Sequence, residues 1–159
     1  MYRAALLVLS DRAAAGTRPD ETIPVMKAKL GSAFEIVRER VLPDDPAQLQ
    51  AELIDIADAG SADLILTTGG TGLSPRDRTP QATAAILDYE VPGIAEAIRA
   101  DSLKIVRTAM LSRLLAGVRH RTLIVNLPGS PKAVGESLDA IVSVLPHAIE
   151  LLSDRVNDG

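Results

Sequence analysis

Ala62-Asp63-Leu64-Ile65-Leu66-Thr67-Thr68-Gly69-Gly70-Thr71-Gly72-Leu73-Ser74-Pro75-Arg76-Asp77-Arg78-Thr79-Pro80 decides the architecture of this chain. Its opening residues, 62–66, are an apolar run without helical spacing, the pattern of a strand buried on both faces. Its closing pair, Thr79-Pro80, places a hydroxyl residue at the cap and proline at the first position of a helix over 80–87. Between them lie glycines 69, 70 and 72, Arg76 and Arg78, and one acid, Asp77. Glycines let backbone N–H groups approach a ligand closely. A helix N-terminus adds orphan N–H groups and partial positive charge, so the loop reads as an anion site suited to phosphate. Asp77 conflicts with a bare phosphate, and a bridging divalent cation resolves the conflict. No Gly-Lys-Ser/Thr follows and the G-x-G-x-x-G spacing is absent, so this is neither a Walker A loop nor the dinucleotide fingerprint.

Working outward, apolar runs predict strands over 3–9 and 34–41, the second alternating with charges and therefore near an edge. Helices are expected over 19–30, with Ile23, Met26 and Leu30 inward, and over 46–59, capped by Asp45 with Pro46 at its start. A further helix over 93–106 turns Ile94, Ile98 and Ile105 inward. Strands over 110–118 and 122–127 are joined by the short basic turn Arg119-His120-Arg121, which requires antiparallel pairing. A long helix over 131–152 carries Val134, Leu138, Ile141 and Leu145 on its stripe and is kinked by Pro146. Residues 153–159 form a polar tail. The expected fold is a single domain over 1–159: three-layer α/β, a mostly parallel sheet flanked by helices, with one antiparallel strand.

Composition narrows the chemistry. Hydrophobic residues make up 47% of the 159, but aromatic ones only 2%, so the core must be aliphatic. Cysteine is absent, which excludes disulfides and thiolate metal sites and suits a cytoplasmic location. The two histidines cannot form a histidine metal cage. A net charge of −4 without a basic face argues against nucleic acid. The closest basic cluster, Arg113, Arg119, His120 and Arg121, reads as a solvated turn. No apolar run is long enough to span a bilayer, and the apolar start is too short for a signal sequence.

Three turns share one design. Asp45-Pro46, Thr79-Pro80 and Ser130-Pro131 each set a capping residue before proline at a helix that follows a strand. In a doubly wound sheet such starts lie outside the carboxyl ends of the strands and should converge on one crevice. Ser10 and Asp11 end the first strand and face the same side. Asp44 and Asp77 each precede one of these helices. Together across one crevice they suit a shared Mg²⁺, although either alone would merely complement a helix dipole. Glu96, Arg99 and Ser102 share one face of their helix and read most simply as exposed.

The central stretch and a second one, Asn126-Leu127-Pro128-Gly129-Ser130-Pro131-Lys132-Ala133-Val134, resemble the signatures of the molybdopterin adenylyltransferase family of molybdenum cofactor biosynthesis. The resemblance runs over about residues 2–152 and departs from the family pattern at Glu21-Thr22 and at Ser130. It implies attack of the terminal phosphate of molybdopterin on the α-phosphorus of ATP, giving adenylylated molybdopterin and pyrophosphate. It also implies Asp44 and Asp77 as catalytic groups holding Mg²⁺, and Thr68, Gly69, Gly70, Thr71 and Gly72 as a phosphate cradle with Arg76. Ser10, Asp11, Gly129, Ser130 and Lys132 are implied as further substrate contacts. A homotrimer, and the molybdate-inserting enzyme as a partner, follow from the same resemblance. Two alternatives stay open: a non-catalytic molybdopterin-binding module of the same fold, and a nucleotide-binding α/β protein with an unrelated substrate.

Overall fold

The computed structural model of the chain describes residues 1–154, so the end of the expected polar tail lies outside the described residues. The strands are β1 (Tyr2–Leu9), β2 (Phe34–Leu42), β3 (Leu64–Thr68), β4 (Tyr89–Glu90), β5 (Ala116–Arg119) and β6 (Thr122–Leu127). The helices are α1 (Asp11–Ala14), α2 (Thr22–Leu30), α3 (Pro46–Asp58), α4 (Thr79–Ala84), α5 (Pro92–Leu103), α6 (Pro131–Ile141) and α7 (Leu145–Leu152). The six strands form one sheet in the order β2-β1-β3-β6-β5-β4. The pairs β1·β2, β1·β3 and β3·β6 are parallel, whereas β5 runs antiparallel to both of its neighbours. The sheet is therefore mostly parallel with one reversed strand, and β2 lies at an edge as its mixed pattern predicts.

Strand alternation divides the core into two layers. Ala4, Leu6, Val8, Leu64, Leu66, Leu123 and Val125 face α2, α5, α6 and α7. Ala5, Leu7, Leu9, Ile65 and Ile124 face α3 and α4. Because β1 has β2 on one side and β3 on the other, the chain reverses its winding between β1 and β3. A crevice opens at that switch point, outside the strands' carboxyl ends.

Several expected boundaries move, each for an identifiable reason. Residues 11–14 form a helical turn because Ser10 caps them, its Oγ accepting from Ala13 N at 3.2 Å. α2 starts at Thr22 instead of Pro19, because the Asp20 carboxylate accepts from the backbone N–H groups of Thr22 and Ile23. α4 begins at Thr79 without a side-chain cap, so Thr79 is helical and not the capping residue. α5 ends at Leu103, which leaves Ile105 53% exposed instead of inward. The strand expected from residue 110 begins at Ala116. Arg107–Leu111 is a 3₁₀ turn whose Met110 and Leu111 point outward, so this apolar run is not a buried strand. The two-residue β4 has no sequence pattern of its own. The helix expected over 131–152 is interrupted by a 3₁₀ turn at Val142–Val144. Pro146 offers no N–H to the Val142 carbonyl and its ring crowds that oxygen, so the helix restarts as α7. The basic cluster is not simply solvated either, since Arg119 forks onto Asp58 at 2.8 and 3.0 Å.

Asn126, fully buried on β6, joins the site end of the sheet to α4. Its Nδ2 donates to Thr67 Oγ1 at 3.0 Å and to Thr83 Oγ1 at 3.1 Å, and its backbone N–H donates to Leu115 O. Asn126→Leu keeps the size and removes both Nδ2 bonds and the one its Oδ1 accepts from Leu115 N, leaving buried polar groups unpaired. The expected loss is about 2–4 kcal/mol of unfolding free energy in urea titration. An unchanged midpoint would show that the two threonines find other partners.

Candidate functional site

The crevice at the switch point has a volume of about 560 Å³. The ends of β1 and β3, the Asp44 turn, the segment before α2 and the start of α6 wall it. Its glycine turn is dictated by packing. Gly69 and Gly70 adopt φ of 92° and 70°. A Cβ on Gly69 would sit 2.4 Å from the Leu9 carbonyl oxygen, and one on Gly70 would sit 2.3 Å from Thr79 Oγ1. Only glycine lets the end of β3 pass so close to β1 and to α4. The Gly69 N–H is engaged by Leu127 O at 3.1 Å, so the phosphate cradle cannot use it.

Three carboxylates meet across this opening. Asp11 Oδ1 accepts from Asp44 N at 2.9 Å, while its Oδ2 pairs with Arg76 Nη2 at 2.6 Å. Asp11 thus ties the end of β1 to both the Asp44 turn and the glycine loop. Asp77 closes its own turn, its Oδ2 accepting from Ser74 N and its N–H donating to Ser74 O. Partial burial, then the Asp11 and Asp77 charges, push the Asp44 carboxyl above its ordinary value, although Arg76 opposes this.

The structure brings most of the expected residues to this crevice: Ser10, Asp11, Asp44, Thr68, Gly69, Gly70, Arg76, Asp77, Gly129 and Ser130. Two of these side chains also cap helices. Ser10 caps α1, and Ser130 caps α6 by accepting from Ala133 N. The Thr68 hydroxyl is 3.1 Å from Thr22 Oγ1, which donates to Asp20 Oδ1. The unusual Thr22 therefore reaches the site through Thr68. Three expected contacts lie elsewhere. Lys132 is 81% exposed, turned along α6 toward Glu136. Thr71 and Gly72 line a second cavity, because Arg113 draws both of their carbonyl groups away from the crevice. The three proline-led helix starts are also split. Ser130-Pro131 borders the crevice, while Pro46 and Thr79 border a small adjoining cleft that shares Asp44 and Arg76 with it.

The second cavity, about 390 Å³, is largely apolar and lies between α5, the 3₁₀ turn and α6. Ile98, Val106, Leu114 and Pro128 form its walls, with Arg99, Ser102, Ser112 and Glu136 as polar points. Arg99 and Ser102 thus line a pocket and not a solvated face, whereas Glu96 does not reach it. The glycine loop is the partition: Gly69, Gly70 and Asp77 face the acidic crevice, and Thr71, Gly72 and Leu73 face the apolar cavity. Arg18, Asp20 and Thr22 border the crevice, and Arg113, expected as part of a solvated basic turn, instead binds the loop backbone behind the partition.

Metal binding by protein ligands alone does not fit. Among the described residues, no group of three or more His, Cys, Asp or Glu side chains is arranged to hold a metal ion. Five acids and three arginines line the acidic crevice, so a polyphosphate entering it would meet excess negative charge. Asp44 and Asp77 line this opening, and carboxylate oxygens are the donor type that a hard cation takes.

Removing the Asp44 charge should show in stability. An acid with a raised folded-state pKa stabilises the fold fully below its unfolded value, and that contribution is lost as pH rises through the folded value. Asp44→Asn stays neutral, so it should melt above the wild type at pH 7, with the gap closing below about pH 4. Thermal melts at both pH values check this, and a gap independent of pH would refute it.

The family model described as "Probable molybdopterin binding domain" matches residues 5–147. The molybdopterin adenylyltransferase of Escherichia coli K12 is 43% identical over 155 residues, covering 92% of this chain and 79% of that protein. The molybdopterin adenylyltransferase of Haemophilus influenzae is 38% identical over 168 aligned positions, covering 96% and 85%. Among solved structures, the molybdopterin biosynthesis enzyme MoaB of Thermus thermophilus superposes with a TM-score of 0.92 at 48% identity, covering 97% of this chain and 98% of that one.

Proposed function

The chain belongs to the molybdopterin-binding domain family, and from that premise we propose that it transfers the adenylyl group of ATP to the terminal phosphate of molybdopterin. The observation that carries this reading is the partition. One glycine loop has on one side a crevice with two acids suited to a cation-bound polyphosphate. On its other side lies an apolar cavity with a few polar points, suited to a flat heterocycle. ATP occupies the crevice and the pterin occupies the cavity, so their phosphates meet at Gly70 and the start of α6. A phosphate oxygen of the pterin attacks the α-phosphorus, the bond from that phosphorus to the bridging oxygen breaks, and pyrophosphate leaves. No protein nucleophile is required, and the chain contributes positioning and charge placement.

Asp44 and Asp77 would hold Mg²⁺, which when bound would offset the negative charge of the ATP phosphates. Arg76, held ready by Asp11, supplies a guanidinium to a phosphate oxygen. The N-terminus of α6, opened by Gly129 and Ser130, supplies a further anion corner. The presence of both acids favours the enzyme over a non-catalytic module, for which carboxylates beside phosphate would be a liability. No helix among the described residues is long and apolar enough to cross a membrane. A chain without cysteine suits the reducing cytoplasm.

Purified protein incubated with molybdopterin, ATP and Mg²⁺ should yield adenylylated molybdopterin and equimolar pyrophosphate; pterin binding without turnover would establish the non-catalytic module instead. Asp77→Asn should lower turnover by about 10²-fold or more with little change in melting temperature. It should leave pterin affinity without ATP equal or tighter, because a phosphate needs donors and not carboxylates. Loss of pterin binding in this variant would move Asp77 to the pterin itself.

Self-association as a homotrimer is part of the same proposal, with the molybdate-inserting enzyme as recipient of the product. Leu103, Ile105, Val106, Met110 and Leu111 are exposed in one short segment, which supports an apolar subunit contact. Light scattering at micromolar concentration should return three times the chain mass, and a monomer mass would exclude the trimer.

A further inference from the structure

Arg113 precedes β5 and has no place in the chemistry described so far. Its Nε donates to Gly72 O at 2.9 Å, its Nη2 donates to Asp77 O, and its backbone N–H donates to Thr71 O at 2.8 Å. Among the described residues it is the one side chain outside the glycine loop that binds the loop's backbone carbonyls. The remaining ties of residues 74–77 are the internal bonds between Ser74 and Asp77 and the ion pair of Arg76 with Asp11. Arg113 is half-buried. Its segment is held from behind, because Arg99 Nη1 on α5 donates to Ser112 O at 3.1 Å and to Leu114 O at 2.9 Å. Two arginines in series therefore connect α5 to the backbone of Asp77.

We infer that Arg113 is a positioning residue that sets the Asp77 carboxylate by clamping the carbonyl groups on either side of the 73–76 segment. This inference rests on the role proposed for Asp77 above. A planar fork can satisfy Gly72 O and Asp77 O together, whereas an ammonium group cannot span both in the same fixed geometry. Without the fork, the loop keeps its glycine anchors at Gly69 and Gly70 and the surface ion pair of Arg76 with Asp11, but its backbone at Gly72 and Asp77 loses its fixing point. Asp77 then samples positions away from Asp44.

The test compares Arg113→Gln and Arg113→Lys in the wild-type and Asp77→Asn backgrounds, with amide hydrogen exchange on the proteins without substrate. Arg113→Gln should lower kcat about tenfold or more while changing the KM for ATP less than about threefold, since misplacement by about an ångström is costly in the transition state. In the Asp77→Asn background it should cause no further loss, because the residue it positions is gone. The amides of Ser74 and Asp77 should exchange about tenfold faster while those of β3 and β6 keep their protection. Arg113→Lys, which keeps the charge, should fall between, and it carries the test if the glutamine variant does not fold. Equal losses in both backgrounds, or unchanged exchange at Ser74 and Asp77, would overturn the assignment. If the wild type itself forms no adenylylated pterin, the proposed function fails, and the exchange contrast alone decides whether Arg113 fixes the loop.

Discussion

The close passage of β3 over the end of β1 is the constraint on which the site depends. At Gly69 and Gly70 the chain takes positive φ with no room for a side chain, against the Leu9 carbonyl on one side and Thr79 on the other. The approach costs conformational entropy in the unfolded chain and buries no side chain of its own. What it achieves is geometric. It lets residues from the ends of β1, β2 and β3 face one another, so that Asp11, Asp44 and Asp77 share an opening although they are far apart in sequence. It also turns Thr71, Gly72 and Leu73 away from that opening, which creates the wall between the crevice and the apolar cavity.

Electrostatics then define what the opening can hold. Acids outnumber arginines along its walls, and Asp44 is held above its ordinary pKa by burial and by its acidic neighbours. Such a site is poorly suited to an anion alone and well suited to an anion that arrives with a cation. Asp11 moderates the field by pairing with Arg76, and its second oxygen fixes the Asp44 backbone. The carboxylates thus differ in their surroundings: Asp11 is committed to structure, whereas Asp44 and Asp77 face the opening with fewer commitments.

Much of this was legible in the sequence, and the parts that were not share a cause. The 62–66 run, the glycine loop and the proline-led helix starts are local patterns that place the parallel sheet, and the short turn at Arg119-His120-Arg121 places its reversed strand. Element order put Asp44 and Asp77 at one end of the sheet, and the family resemblance together with their chemistry singled them out. Four-residue α1 and two-residue β4 are too short to show a period, and the run at Met110-Leu111 is apolar but exposed, so hydrophobicity misplaced the start of β5. Lys132 looked useful because it is a cation near a helix start, yet the helical turn directs it outward along α6. Arg113 read only as part of a solvated basic turn, because its side-chain partners are two backbone carbonyl groups some forty residues away in the chain. Side chains that act through long-range contacts with the main chain leave no spacing to read.

The central claim is that the glycine loop separates a nucleotide crevice from a pterin cavity. A crystal structure with molybdopterin, Mg²⁺ and a non-hydrolysable ATP analogue tests it most directly. The account predicts the triphosphate beside Asp44 and Asp77, the pterin ring between α5 and α6, and the pterin phosphate at the loop facing the α-phosphorus. A nucleotide bound in the apolar cavity, or a triphosphate remote from both acids, would contradict it.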